Sequence, residues 1–465
     1  MPIGFGPRKL GVLLALLGLG LVAVAMWGLA EDVGWLAQPF YAYVWWGYIL
    51  VLDGLVARRR GGSLLTTRAR VMPIVVFWSV SFWFFFELLN LRFQNWYYVG
   101  VFAAPTRLDL VWIGLFGVAC FATVFTGLFE TYLALAALGL FRRLRWRPRR
   151  FPGWVSYAVQ GLGALMVVLA LGFPFHLAPL VWGSLTFLLD PWNYRRGSRS
   201  LLRDLELGDA AIVARLLAAG LACGLVWESL NYLAPQKWIY TVRGFEELKL
   251  FEMPLVGFLG FPALALDAFA AFAAASYWLH GNVTWEDPAD LPPDAAASPR
   301  PRRRALFWRL LPLHVALWAS VVVFGQYRSV GSIELELTHL ETLPRGAERT
   351  LAAYGVHRPR QLLGLLDRPG EAERVRAELE LEDDAFRALV DETRLLTHKG
   401  IGAHHGRLLR RLGITTLEQL AAADPRALYR QLARQRGERS FPALRPEMVR
   451  VWVLSARRSV DRRAR

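Results

Sequence analysis

Two stretches decide how this chain is read: FFFELLNLRFQNWYY, residues 84–98, and LVWESLNYLAPQKWIY, residues 225–240. Each carries a Glu, an Asn three residues on and then Trp-x-Tyr, with one extra residue before the second Trp. Working outward, Trp46-Gly47, Asp53, Arg58-Arg59, Glu87, Asn90, Trp96, Tyr98, Asp109, Gly114 and Gly117 recur in the same order as Trp182-Gly183, Asp190, Arg195-Arg196, Glu228, Asn231, Trp238, Tyr240, Glu252, Gly257 and Gly260. Apolar spans resemble one another through composition alone. Rare polar, aromatic and glycine positions do not align that way, so their shared order predicts an internal duplication. In membrane proteins built from repeats, the ligand site is expected between the halves.

Runs of about 18 or more mostly apolar residues fill the first two thirds of the chain, a pattern that only lipid stabilises. Nine spans are expected, near Leu10 to Leu29, Phe40 to Ala57, Met72 to Leu91, Leu108 to Leu140, Trp154 to Gly172, His176 to Leu189, Ala210 to Leu233, Leu250 to Leu279 and Ala305 to Phe324. The first has the form of a signal peptide, with Arg8-Lys9, an apolar core and Gly28-Leu29-Ala30. Its counterpart in the second copy is a mid-chain span, so retention is expected. The fold class is therefore all-α: a polytopic helical membrane protein of two four-span repeats, 1–141 and 142–280, then a linker, 281–304, a ninth span, 305–325, and a C-terminal domain, 335–465.

The formal charge is +16. Much of it stands in short loops beside spans, Arg58 to Arg70, Arg142 to Arg150, Arg195 to Arg203 and Arg302 to Arg304, where basic residues mark the cytoplasmic side. Nine single crossings from a cytoplasmic N-terminus keep all four loops inside and place the C-terminal domain outside the inner (cell) membrane. An even number of spans per copy also predicts a pseudo-two-fold axis along the membrane normal. Cys120 and Cys223 both lie in spans and read as small packing residues.

After Gln326 the chain turns charged and helical, with a second duplication. Leu343-Pro344-Arg345-Gly346, Leu351, Gly355-Val356 and Gln361-Leu362 match Ile401-Gly402, Leu409, Gly413-Ile414 and Gln419-Leu420. Each copy reads as a helix, a tight turn and a second helix with a glycine C-cap. The stretch KGIGAHHGRLLRRLGITTLEQL resembles a helix-hairpin-helix, and Leu340 to Arg457 resembles a bacterial family of unknown function built from two such hairpins. A Gly-Ile-Gly turn at Lys399, Gly400, Ile401 and Gly402 exposes N–H groups at a helix start and can hold a phosphate. From Ala385 onward 18 basic residues face 7 acidic ones, enough to attract polyanions; nucleic acid is a partner only if this domain is cytoplasmic. His398, His404 and His405 lack Cys or carboxylate at ligand spacing and read as solvated surface groups, so no metal is expected.

The candidate site residues lie in the membrane repeats. Glu87 with Asn90, and Glu228 with Asn231, share a helix face because they are three residues apart. A carboxylate costs about 2.5 to 3.5 kcal/mol at mid-membrane, so it turns toward protein or a wet cavity. The pattern suits a polar ligand site with a general acid, and it equally suits a clamp between halves. Trp96, Tyr98, Trp238 and Tyr240 either line a ligand or belong to the interfacial aromatic belt. Asp109 and Glu252 each precede Gly-x-x-Gly and open a long span, where the helix dipole favours an acid and paired glycines allow close approach. Asp53 and Asp190 are expected to pair with the Arg-Arg that follows each. Glu130 and Asp267 lie deeper and are the candidates should protons or cations pass.

Acid, Trp-x-Tyr and acid, given twice, resembles the membrane-embedded lycopene cyclase family. That likeness implies Glu87, Glu228, Asp109 and Glu252 as catalytic acids on a polyene, although neither Phe251-Glu252-Met253-Pro254 nor Leu108-Asp109-Leu110 has the family's proline followed by paired glutamates. Three functions follow as expectations: a module binding a membrane lipid or small amphiphile between its repeats, with the tail contacting a protein partner; an enzyme on an isoprenoid-like substrate; or a proton-coupled transporter. None calls for a cofactor.

Overall fold

The computed structural model describes residues 6–101, 107–242, 248–291, 303–436 and 441–463. It divides into two compact units, Met1–Phe93 with Val111–Pro235 and Leu248–Val322, and Gln94–Leu110 with Gln236–Glu247 and Val323–Arg465. The helices of the membrane part are α1 (Pro7–Ala30), α2 (Gly34–Ala37), α3 (Phe40–Arg60), α4 (Met72–Phe93), α5 (Arg107–Phe121), α6 (Thr123–Ala137), α7 (Gly153–Gly172), α8 (Pro174–Leu177), α9 (Ser184–Arg196), α10 (Leu201–Glu206), α11 (Ala211–Leu233), α12 (Gly260–Ala275) and α13 (Arg304–Ser329). Four short strands punctuate them: β1 (Trp96–Val99), β2 (Lys237–Tyr240), β3 (Lys249–Leu250) and β4 (Met253–Pro254). The chain is all-α in class. Among the described residues eight helical stretches are long and apolar enough to cross a membrane.

In the first unit, small residues set the helix contacts. A Cβ on Gly18 would lie 2.5 Å from the Gly47 carbonyl, and one on Gly54 would lie 2.3 Å from the Gly11 carbonyl, so α1 and α3 meet backbone to backbone. Gly163 places α7 against α9 in the same way, with a built Cβ 2.5 Å from Leu188 N, and Gly220 brings α11 onto Phe261 at the start of α12. Aromatic rings fill the remaining space: Phe129, Trp45 and Phe125 are at most 1% exposed.

Three expectations need revision. The stretch His176 to Leu189 is not one helix: α8 and a 3-10 turn, Ala178–Val181, precede α9, which starts only after Gly183 at φ 91°. Pro174 and Pro179 cannot continue a hydrogen-bonded helix, and hydropathy does not register that. Leu108 to Leu140 breaks at Ala122 into two 15-residue helices. Each is about 22 Å long at 1.5 Å per residue, too short alone for a core of about 30 Å. One span, Gly114–Ala137, results. Third, Trp285 to Arg304, whose Pro, Ala, Asp and Arg content reads as a flexible linker, is packed where it starts: Trp285 is 2% exposed and stacks on Phe129 at 4.0 Å, and Glu286 is 2% exposed.

The second unit holds α14 (Ala347–Ala352), α15 (Pro359–Leu366), α16 (Glu371–Glu378), α17 (Asp383–Thr397), α18 (Gly402–Arg411), α19 (Leu417–Ala422), α20 (Pro425–Arg436) and α21 (Pro446–Arg463). Gln361 Oε1 accepts from His357 N and Arg358 N at 2.7 and 3.0 Å; Gln419 Oε1 accepts from Thr415 N and Thr416 N at 2.7 and 3.2 Å. Gly355 and Gly413 take φ 70° and 78°, the left-handed conformation that ends a helix. Leu351, Leu362, Leu409 and Leu420 are fully buried in one core with Trp452.

Candidate functional site

The polar residues of α4 and α11 are inside the first unit. Glu87 is 7% exposed, and Asn90, Glu228 and Asn231 are 0% exposed. Trp83 Nε1 donates to Glu87 Oε1 at 3.1 Å, one helical turn away. The Trp83 ring lies 5.1 Å from that of Trp227, the residue before Glu228. Phe86, the residue before Glu87, stacks on Trp182 at 4.8 Å and 5°. Two carboxyl and two amide groups are thus buried in one unit, and carboxylate and amide oxygens accept hydrogen bonds from hydroxyl or amine groups.

The Trp-x-Tyr segments belong to the second unit. They are strands, and they pair with each other antiparallel: Trp96 faces Tyr240, Tyr97 faces Ile239, Tyr98 faces Trp238 and Val99 faces Lys237. The residues that enter the C-terminal core are Tyr97, Val99 and Ile239, two of them the middle residues of the motifs. Sequence reading weighted the flanking aromatics instead; period-two alternation was the signal for the middle ones. Arg445, 6% exposed, donates from Nη2 to the Trp96 carbonyl at 2.9 Å, and burial pushes its guanidinium down to about 10. Tyr97 Oη donates to the Lys399 carbonyl at 2.9 Å, and Gly331 N to the Tyr98 carbonyl at 2.8 Å.

The Gly-Ile-Gly turn has a neighbour on its open side. Gly400 and Gly402 have φ 71° and 65°; a Cβ on Gly400 would lie 2.2 Å from Val99 Cγ1, and Ile401 is 0% exposed. The histidines are not solvated surface groups. His405 is 0% exposed, with Nδ1 3.2 Å from the Ile401 carbonyl and its ring 5.2 Å from Trp452. Burial, then the charges of His404 and Arg436, push it down to about 3. His398 Nε2 lies 3.1 Å from the Trp452 carbonyl. On α18 the four-residue spacing from Ile401 to His405 turns the ring inward.

Asp109 lies in α5, and its side chain is outside the described residues. Glu252, 5% exposed, sits in the turn between β3 and β4 of the first unit. It does not open a helix: the next segment is a 3-10 turn, Leu255–Leu259, and α12 begins at Gly260.

At the arginine-loop ends of the first unit stands a buried polar layer that sequence reading largely missed. Asp53 accepts from Ser63 Oγ at 2.6 Å and Leu65 N at 2.9 Å. Asp190 accepts from Ser200 Oγ at 3.1 Å and from Leu201 N and Leu202 N at 2.8 and 2.9 Å. The expected pairing with Arg58-Arg59 and Arg195-Arg196 is replaced by these loop-capping bonds, because a buried carboxylate gains more from converging short donors than from long side chains reaching toward water. Arg199, 5% exposed, donates to Asp204 at 2.7 Å and to Glu286 at 2.7 Å. Arg60 pairs with Asp287 and Asp290 at 3.1 and 2.5 Å. The sequence signal was Asp followed ten residues later by Ser in both halves, Asp53 to Ser63 and Asp190 to Ser200. Deeper, Asp267 accepts from Gly183 N, Thr186 N and Thr186 Oγ1 at 2.7, 2.6 and 2.7 Å, capping α9. Both Cys residues are free thiols. Among the described residues no group of three His, Cys, Asp or Glu is placed to hold a metal ion.

Residues 342–459 match a family described as "Domain of unknown function (DUF4332)". No curated protein and no solved structure matches the chain.

Proposed function

We propose that the membrane half is a duplicated module that binds a lipid or small amphiphile between its copies, the polar head held by Glu87, Asn90, Glu228 and Asn231. The observation that carries this reading is the burial of all four side chains in one unit, with Trp83 hydrogen-bonded to Glu87. Carboxylates and amide oxygens select a head rich in hydroxyl or amine donors. Supporting the duplication, Asp53, Ser63 and Leu65 make the bonds that Asp190, Ser200 and Leu202 make, at one constant offset: 190 − 53, 200 − 63 and 202 − 65 are each 137. In the tail, Gln361 and Gln419 cap their helices alike, which supports a tandem helix-hairpin-helix.

In this reading the tail is exocytoplasmic and its Gly-Ile-Gly turn receives β1 rather than a phosphate. Supporting the location, 94–110 and 236–247 share a compact unit with the tail, which in this reading puts the three on one side. The exposed remainder of the tail serves a protein partner.

The test is extraction of co-purifying lipid from protein in mild detergent, with mass-spectrometric quantitation. A stoichiometric amphiphile is expected, lost in Glu228→Gln at near-normal thermal stability. No stoichiometric species in the wild type ends the reading. A Glu228→Gln chain that loses stability but keeps its lipid makes the residue a clamp.

A further inference from the structure

Glu130 is 0% exposed on α6, and neither carboxyl oxygen has a hydrogen-bond partner among the described residues. Its counterpart is Asp267: 267 − 130 is 137, the offset that relates Asp53 to Asp190. The two halves nevertheless differ. Asp267 accepts three hydrogen bonds as the cap of α9, whereas Glu130 accepts none and meets the Asp53 carboxyl of α3. A structural acid is saturated with donors, as Asp267 and Asp190 are with three each; Asp53 accepts two. Glu130 is not saturated.

We propose that Glu130 and Asp53 form a proton-binding carboxyl pair, holding one proton between them within the membrane half. Two carboxylates in contact inside protein cannot both stay charged, because like charges repel strongly where water is excluded. Neither can donate to the other until a proton is added, and then the contact becomes a hydrogen bond. The surrounding charges fit a single proton. Among the described residues Arg68 is the cation that acts on Glu130, and its guanidinium already donates to the Trp285 and Glu286 carbonyls. The acids Glu286 and Asp287 act on Arg68 in turn. From α11, Cys223 reaches α6 at Thr131, and Tyr48 of α3 bonds the same hydroxyl at 2.8 Å. Arg215 is turned to the Leu140 carbonyl, and α4 offers α6 the Ser79 hydroxyl. The proton source is solvent at the arginine-loop end. The inference does not rest on amphiphile binding and survives its failure.

Infrared difference spectroscopy of the full chain in detergent, in water and deuterium oxide at neutral pH, tests the pair. The wild type is expected to show a protonated-carboxyl stretch that shifts on deuteration. Glu130→Gln and Asp53→Asn should each abolish it, while Asp267→Asn should leave it. Absence of the band in the wild type overturns the proposal. So does its persistence in Asp53→Asn, which would make Glu130 a solitary neutral acid, or its appearance only after sodium is withdrawn, which would make the occupant a metal cation. Glu130→Gln, a neutral isostere, keeps the test valid should Asp53→Asn misfold.

Discussion

His405 is the residue at which the tail's stability meets pH. In the unfolded chain it titrates near its usual value of about 6.5, whereas in the fold burial pushes it down to about 3. The unfolded state therefore binds a proton that the folded state refuses between those values. Stability is full above about pH 6.5 and falls as pH drops toward 3, by up to about 1.4 kcal/mol per unit. Thermal unfolding of the full chain between pH 7.5 and 4.5 should show this loss, and His405→Phe, which fills the space beside Trp452 without a titrating nitrogen, should flatten it. A slope unchanged in the variant would assign the acid sensitivity to another group. At this scale the sequence was read unevenly. Gly400 and Gly402 stood out as a turn exposing N–H groups at a helix start, yet what the turn approaches, Val99, could not be read. Tyr97 and Lys399 are 302 positions apart, and periodicity carries no information over that distance.

Among elements, α9 best shows what hydropathy reports and what it omits. Helices α1, α3, α4 and α11 were legible because a long apolar run with no proline beyond its first turn, where Pro7 and Pro73 stand, has one economical structure in lipid. His176 to Leu189 is as apolar but holds Pro179 and Gly183, and the backbone N–H groups freed by the break need an acceptor. Asp267 supplies it from α12, 84 residues beyond Gly183. Asp267→Ala leaves the Gly183 and Thr186 amides buried without a partner, at about 1 to 3 kcal/mol each. The expected outcome is a large fall in melting temperature in detergent, with Asp267→Asn much milder because one acceptor oxygen remains. Equal effects of the two would mean that the cap does not hold this break. The packing of 281–291, the described first part of the linker, escaped the sequence for a related reason. Its proline and acidic content suits a loose loop, but Trp285 finds Phe129, and Glu286 finds Arg199, only in three dimensions.

For the whole molecule, the decisive expectation is sidedness. Fluorescent-protein and phosphatase fusions after Arg465 should report an exocytoplasmic end, and single cysteines at Lys237 and at exposed tail positions should label from the same side. A fluorescent, phosphatase-negative fusion would overturn that placement and reopen binding of nucleic acid. Charge and span counting reaches the question without answering it: the eight spanning-length helices alone would return the tail to the cytoplasm, and the exocytoplasmic reading counts the broken stretch from α8 to α9 as the ninth crossing; what adds weight is that two loops and the tail condense into one unit. The β1–β2 ladder carries a further consequence. Trp96 against Tyr240 and Tyr98 against Trp238 is an isologous register, in which each motif offers the other the same surface it receives. A single copy of the motif is then self-complementary: Trp96 of one molecule would face Tyr98 of a second, with Tyr97 opposite itself. On the proposed duplication, the ladder is the contact that a homodimer of half-length chains would use.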